Sequence, residues 1–273
     1  MCSGKREDVH ILITNDDGVQ APGLLALAQE LRKLGKVTVL APDRNWSMSG
    51  HVKTIHTPMK VVKTLLRDNT PAFAASGAPS DCVALAMLGL LEEPVDMVVS
   101  GINPYANLGH DITYSGTVTA AMEATIAGVT GIAVSLDGPL ISPEEVDFGP
   151  AARSAKHVIE TVINQELPQN ILLSVNVPYL PDHKIKGYQI TRQGTRIYRD
   201  LLIRKLDEKG EPVYIIGGEF PTGLPEEGTD IGALNQGIVS ITPISMDMTA
   251  YQHIDQIRNW NWGGSNHHHA VAG

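Results

Sequence analysis

His10-Ile11-Leu12-Ile13-Thr14-Asn15-Asp16-Asp17-Gly18 opens as an apolar, partly β-branched run and stops at two adjacent carboxylates and a glycine. A short apolar run closed by turn residues predicts a buried strand of a parallel sheet. Open α/β sheets bind ligands at the C-terminal ends of such strands, so Asp16 and Asp17 are expected at the mouth of a site. Two adjoining like charges are unfavourable without a compensating cation. A hard divalent ion is the common partner of oxygen ligands. The competing explanation is that one aspartate caps the next helix and the other is solvated.

Working outward, Leu24, Leu25, Leu27, Ala28, Leu31 and Leu34 keep helical spacing, with Pro22 suited to a first turn and Gly35 to an end. Val37-Thr38-Val39-Leu40-Ala41 predicts a second strand, stopped by Pro42-Asp43. Strand, helix, strand is the opening of a doubly wound α/β fold with a mostly parallel, Rossmann-like sheet. Further strands are expected over 59–66, 72–76, 94–100, 131–136 and 171–177. Helices are expected over 82–88 and 118–127, and from Ser142 through Val162. The pattern changes near Tyr188. Residues 200–206 and 212–216 flank Asp207-Glu208-Lys209-Gly210-Glu211 as a β-hairpin. Its apolar content exceeds what a solvated two-stranded ribbon holds, and packing on a partner subunit is one solution. Gly228-Thr229-Asp230 precedes a short helix, and Val239 to Pro243 is a late strand. The expected organisation is a core over 1–187, a hairpin and C-terminal extension over 188–262, and a disordered tail over 263–273.

The chain's 273 residues suffice for one large domain with an extension. A net charge of −9 argues against nucleic-acid polymers as the main partner. It leaves room for an anionic small substrate, because a bound metal inverts the local sign. Cys2 and Cys82 have no metal-type spacing, which points to a reducing compartment. With no signal-like start and no membrane-length apolar run, a cytoplasmic protein is expected. His267, His268 and His269 fall in the Gly/Ser/Asn/Ala tail.

Three polar clusters follow three expected strand ends. The first is Asp16 and Asp17. The second is the aperiodic loop from Asp43 to His51, where Ser47 and His51 are candidate ligands or substrate contacts; a surface loop beneath Trp46 is the alternative. The third is Asn103 and Asn107, in a loop rich in Asn and Gly. Carboxylate, hydroxyl and amide oxygens together make a hard-cation site. Ser115-Gly116-Thr117 then opens a small-residue helix, whose free N–H groups and partial positive charge suit a phosphate. An ordinary N-cap is the alternative. A metal beside an anion cradle is what phosphoryl chemistry needs.

Asn15-Asp16-Asp17-Gly18 with Ala21-Pro22-Gly23, Ala41-Pro42-Asp43-Arg44-Asn45, Pro79-Ser80-Asp81-Cys82, Ser100-Gly101-Ile102-Asn103, Asn107-Leu108-Gly109 and Tyr114-Ser115-Gly116-Thr117-Val118 resemble the SurE family of stationary-phase survival proteins. The resemblance runs on through Asn176-Val177-Pro178, Gly228-Thr229-Asp230 and Val239-Ser240-Ile241-Thr242-Pro243. It implies a Rossmann-like, divalent-metal-dependent (Mg²⁺ or Mn²⁺, one per subunit) phosphatase of nucleoside 5′-monophosphates, often active also on 3′-nucleotides and short polyphosphate. The implied metal ligands are Asp16, Asp17, Ser47 and Asn103, with Asp16, Asp17 and Asn103 carrying the chemistry. Ser115, Gly116, Thr117 and Asn107 are the phosphate side, and Trp46, His51 and Tyr105 border the substrate. A homodimer or homotetramer is implied, with the late hairpin and C-terminal segment exchanged between subunits. The chain departs from the family pattern at Met48, Pro104-Tyr105 and Ala78, which bear on substrate breadth and touch no implied ligand. Two other functions compete. A nucleotide-sugar transferase would space its acids as Asp-x-Asp, and a nucleotide sensor would bind without turnover. A phospho-aspartate route ranks below metal-activated water, because both aspartates serve more simply as ligands.

Overall fold

Ile11, Leu12 and Ile13 are completely buried, in a strand that is itself flanked on both sides. The computed structural model describes residues 9–165 and 167–262. The expectations for Cys2 and for the His267–His269 tail lie outside the described residues. In chain order the elements are β1 (His10–Thr14), α1 (Pro22–Leu31), β2 (Lys36–Pro42), β3 (Val61–Leu65), β4 (Pro71–Ala75), α2 (Pro79–Leu85), β5 (Met97–Asn103), α3 (Gly116–Ile126) and β6 (Thr130–Asp137). They continue with α4 (Gly149–Ile163), β7 (Ile171–Pro178), β8 (Tyr188–Ile190), β9 (Arg196–Leu206), β10 (Pro212–Gly223), α5 (Asp230–Asn235), β11 (Val239–Ser245) and α6 (Tyr251–Arg258).

Nine strands form one sheet in the order β3-β4-β2-β1-β5-β6-β7-β11-β8. From β4 across to β7 all neighbours run parallel. β3 and β11 pair antiparallel at the two sides, and β8 runs parallel to β11. Side chains of β1 alternate between two cores, as the two-residue period of a strand requires. Ile11 and Ile13 pack with Leu24, Leu27 and Leu31 of α1 and with Ala151 and Ala155 of α4. Leu12 packs with Cys82 and Val83 of α2 and with Ala120 and Ala124 of α3. Helices therefore cover both faces, and the doubly wound α/β expectation holds. β9 and β10 form a separate two-stranded ribbon. Among the described residues no helix is long and apolar enough to cross a membrane.

Several boundaries differ from the sequence expectation. The helix expected from Ser142 through Val162 is interrupted. Pro143–Glu145 form a 3-10 turn, and α4 begins only at Gly149. Between them Val146 and Phe148 are buried in the core, and Asp147 Oδ1 accepts the Gly149 N–H at 2.9 Å. Burying Phe148 outweighs continuing the helix. The helix expected over 82–88 is α-helical only to Leu85 and widens into a π-type turn, with Gly89 at φ +101°. The hairpin is longer than expected, its strands pairing from Arg196 to Leu206 and from Pro212 to Gly223. α6 was absent from the expected elements; none of its residues is buried.

Candidate active site

Thr14 of β1 pairs with Ser100 of β5, so Asp16, just past the end of β1, and Asn103, the last residue of β5, lie at neighbouring strand ends. A tight turn presents the two aspartates. Buried Asn15 clamps it, donating from Nδ2 to the Gly18 carbonyl at 3.0 Å and accepting the Gly18 N–H on Oδ1 at 3.2 Å. Gly18 sits at φ +107°, a conformation that glycine adopts without a Cβ penalty. β2 ends beside this turn: Val19 N donates to Pro42 O at 2.8 Å, and Trp46 N donates to Asp16 O at 2.7 Å. The Ser47 loop is thereby hung on the Asp16 backbone.

Asp16 is only 3% exposed. Thr117 Oγ1 donates to its Oδ1 at 2.6 Å, and the backbone at Gly116 and Thr117 also bonds its carboxylate. A Cβ at position 116 would stand 2.7 Å from the Asp16 Cβ, so only a glycine lets the helix start come this close. The N-terminus of α3 thus points its partial positive charge at Asp16. Burial still dominates, and the Asp16 carboxyl is raised above the ordinary aspartate range. Asp17 is pushed up to about 7, by burial first and by the Asp16 charge second. Among the described residues neither carboxylate is in an ion pair, the nearby Arg44 and Lys53 being paired with Asp43 and Glu123.

The other sequence candidates are placed as follows. Ser47 is exposed, its N–H bonded to Asn45 Oδ1 at 2.7 Å. Asn103 Nδ2 donates to Tyr105 O at 2.5 Å, leaving its amide oxygen outside that bond. Asn107 is buried; its Nδ2 donates to Ser135 Oγ at 2.7 Å, and its backbone exchanges two bonds with the Asn176 amide. Ser115 Oγ accepts the Val118 N–H at 3.2 Å as an N-cap. Trp46 lies under Arg44, whose guanidinium carbon is 4.9 Å from the ring centre. Tyr105 is exposed. His51 does not reach the aspartates through any bond of the described residues; its Nε2 lies 3.1 Å from Glu123 Oε2 on α3.

The donor set fits a hard divalent ion. Two adjacent desolvated carboxylates lack a protein cation, and neutral hydroxyl and amide oxygens come from neighbouring strand ends. Among the described residues no three His, Cys, Asp or Glu side chains gather in a metal-binding group, so no softer site competes. Trp46 Nε1 and Ser49 Oγ, on either side of Ser47 in its loop, and Ser100 Oγ of β5 are buried without a partner among the described residues. Beside Asp17 opens a cavity of 300 Å³ whose lining includes Asn45, Ile102, Pro104 and Phe148. That volume is at the lower end of small-ligand pockets.

The family profile described as Survival protein SurE matches residues 11–200. This chain belongs to the SurE family. A protein named 5′-nucleotidase SurE from Herpetosiphon aurantiacus is 48% identical, the match covering 94% of this chain and 100% of that protein. One of the same name from Chloroflexus aggregans is 44% identical over 93% and 100% of the two chains. The crystal structure of the SurE protein from Aquifex aeolicus superposes with a TM-score of 0.78 at 40% identity, over 91% of this chain and 98% of that one.

Sequence reasoning assigns no bracing role to the groups that support this candidate site. Asn176, which grips Asn107, enters the sequence reading as a strand residue and in the motif Asn176-Val177-Pro178, with no role at the site. Glu123 and Asp81 anchor the Ser47 loop. The available signal for Glu123 was a lone charge inside Gly116–Ile126, a helix otherwise built of small and apolar residues.

Proposed function

We propose that this chain is a divalent-metal-dependent phosphomonoesterase, hydrolysing nucleoside 5′-monophosphates to nucleoside and phosphate. The observation that carries the reading is the Asp16–Asp17 pair: adjacent, Asp16 buried and Asp17 half-buried, and without an ion-pair partner among the described residues at the mouth of a parallel sheet. Membership of a family whose relatives are named 5′-nucleotidase supports the same activity. In this reading Asp16, Asp17, Ser47 and Asn103 hold one Mg²⁺ or Mn²⁺ per subunit. A divalent ion bound there polarises a phosphoryl oxygen and lowers the pKa of a water.

The chain's own groups do the positioning. Thr117 and the start of α3 keep the Asp16 carboxylate in one orientation, so the donors are set before substrate arrives. The same helix start, Ser115-Gly116-Thr117 with Asn107 beside it, favours a second anion, the substrate phosphate. Trp46 and Tyr105 offer rings for a base, and stacking of that kind discriminates weakly between bases. 3′-Nucleotides and short polyphosphate share the terminal phosphate that this arrangement recognises. Among the described residues the cysteine Cys82 is buried and unpaired, which agrees with a reducing, cytoplasmic setting in this reading.

The assembly in this reading is a homodimer or homotetramer joined through β9 and β10. Leu202 is 72% and Ile216 82% exposed on a ribbon that a monomer leaves bare, and apolar patches of that kind mark interfaces.

A phosphate-release panel tests the activity. Protein treated with chelator should be inactive, and Mn²⁺ or Mg²⁺ should restore release from 5′-monophosphates across all bases. Sugar phosphates outrunning every nucleotide would refute the nucleotidase; full turnover in chelator would refute the metal.

A further inference from the structure

The loop carrying Ser47 has no regular structure between β2 and β3, and turns through Met48 at φ +59° and Gly50 at φ +64°. Its first half is lightly held. Apart from the Trp46 N–H on Asp16 O, the bonds of residues 46–49 are local, from Ser47 N to Asn45 Oδ1 and from Ser49 N to Trp46 O. Its second half is fastened to two helices. On α2, Asp81 accepts both the N–H and the hydroxyl of Thr54 at 2.7 Å, and the Ser80 hydroxyl donates to Val52 O. On α3, Gly50 N donates to Tyr114 O at 3.0 Å just ahead of the helix, and Thr119 Oγ1 donates to Gly50 O at 3.1 Å. Further along, Glu123 accepts Lys53 Nζ at 2.7 Å and lies 3.1 Å from His51 Nε2.

Glu123 is 5% exposed and is the sole charge in α3. Apolar residues of similar volume would serve stability as well as such a buried charged contact. What the charge adds is direction, because it selects which loop residues meet the helix. The same α3 holds Asp16 by its first turn.

We propose that Glu123 is a positioning residue for the metal site: through His51 and Lys53 it fixes the loop register that delivers Ser47 beside Asp16. α3 sets the spacing of two donors at once, Asp16 at its start and Ser47 through this anchor. The inference rests on the metal assignment made above.

The test is a Mn²⁺ titration followed by electron paramagnetic resonance on the full chain, with hydrogen exchange of residues 44–50 and with turnover at saturating Mn²⁺. Wild type should bind Mn²⁺, and Asp17→Asn should not. Glu123→Gln should weaken Mn²⁺ binding about tenfold or more, the scale seen for outer-shell partners. Exchange in 44–50 should speed up, and turnover should recover at saturating metal. Lys53→Ala, which leaves the helix untouched and removes the other end of the Glu123 contact, should do the same. Met122→Ala loosens α3 on its other side, where Met122 packs with Ile112 and Leu172. It should lower the melting temperature and leave Mn²⁺ affinity within about twofold, as expected for sites with no shared partner. Unchanged affinity in Glu123→Gln, or equal weakening in Met122→Ala, overturns the positioning role and leaves the metal site standing. Wild type that binds no Mn²⁺, or binds it without Asp17, overturns both.

Discussion

At the scale of single residues the two aspartates have unequal surroundings. Asp16 draws on a helix start and a threonine hydroxyl, whereas Asp17 answers mainly to burial and to its neighbour's charge. Asp17→Asn should lower turnover about a hundredfold or more, about 3 kcal/mol of transition-state stabilisation, in steady-state assays with saturating metal. The pH dependence of the metal-free fold follows from the same carboxyl. Its pKa is raised from the ordinary aspartate value to about 7, so between those values the folded chain binds more protons than the unfolded one. Stability contributed by this group is therefore present at low pH and lost as pH rises toward 7. Melting curves in chelator should show a fall in wild type that is smaller in Asp17→Asn and disappears when Mn²⁺ is added. A different residue gives a negative prediction. Cys82 is fully buried, and burial pushes its thiol well above the ordinary range. An alkylating reagent at pH 8 should label it only after denaturation, since the thiolate is the reactive form.

At the scale of elements, the break before α4 is set by one side chain. Phe148 is 4% exposed and packs where a Cβ on Gly23 of α1 would come within 3.1 Å of its ring. Phe148→Ala should cost about 3–5 kcal/mol in denaturant unfolding, the usual loss for a buried phenylalanine. This break also shows what the sequence does and does not disclose. The strands around Ile11–Ile13 were legible because continuous apolar runs bounded by turn residues have one explanation in a parallel sheet. The segment from Ser142 to Val162 misled because helical periodicity continues on both sides of Phe148. Only the depth of the pocket beneath decides that Val146 and Phe148 turn inward. The placement of Asp16, Asp17 and Asn103 at strand ends was legible, because the apolar runs before them stop at turn residues. Glu123 and Asp81 were not, since their partners at His51, Lys53 and Thr54 are distant in sequence and meet them only once α2 and α3 are docked.

At the scale of the whole molecule, the ribbon of β9 and β10 stands apart from the nine-stranded sheet with large apolar side chains in solvent. A second copy of the chain covering it predicts a specific behaviour. Wild type should sediment as a dimer or larger at micromolar concentration. Leu202→Lys with Ile216→Lys should shift it toward monomer, as burying uncompensated charge in an interface is costly. A monomeric wild type removes the basis for assembly through this ribbon.

β1 pairs on one side with β2, close behind it in sequence, and on the other with β5, which begins only at Met97. Asp16 and Asn103 therefore have no fixed spacing until a parallel pairing between distant segments has closed. Pairings of that kind form late and slowly, because a long loop must be ordered before contacts reward it. A chain that has collapsed but not joined β1 to β5 carries Asp16, Asp17 and Asn103 without bringing the two strand ends together. Time-resolved uptake of Mn²⁺ during refolding would accordingly clock the last stage of folding, lagging behind the recovery of helical signal.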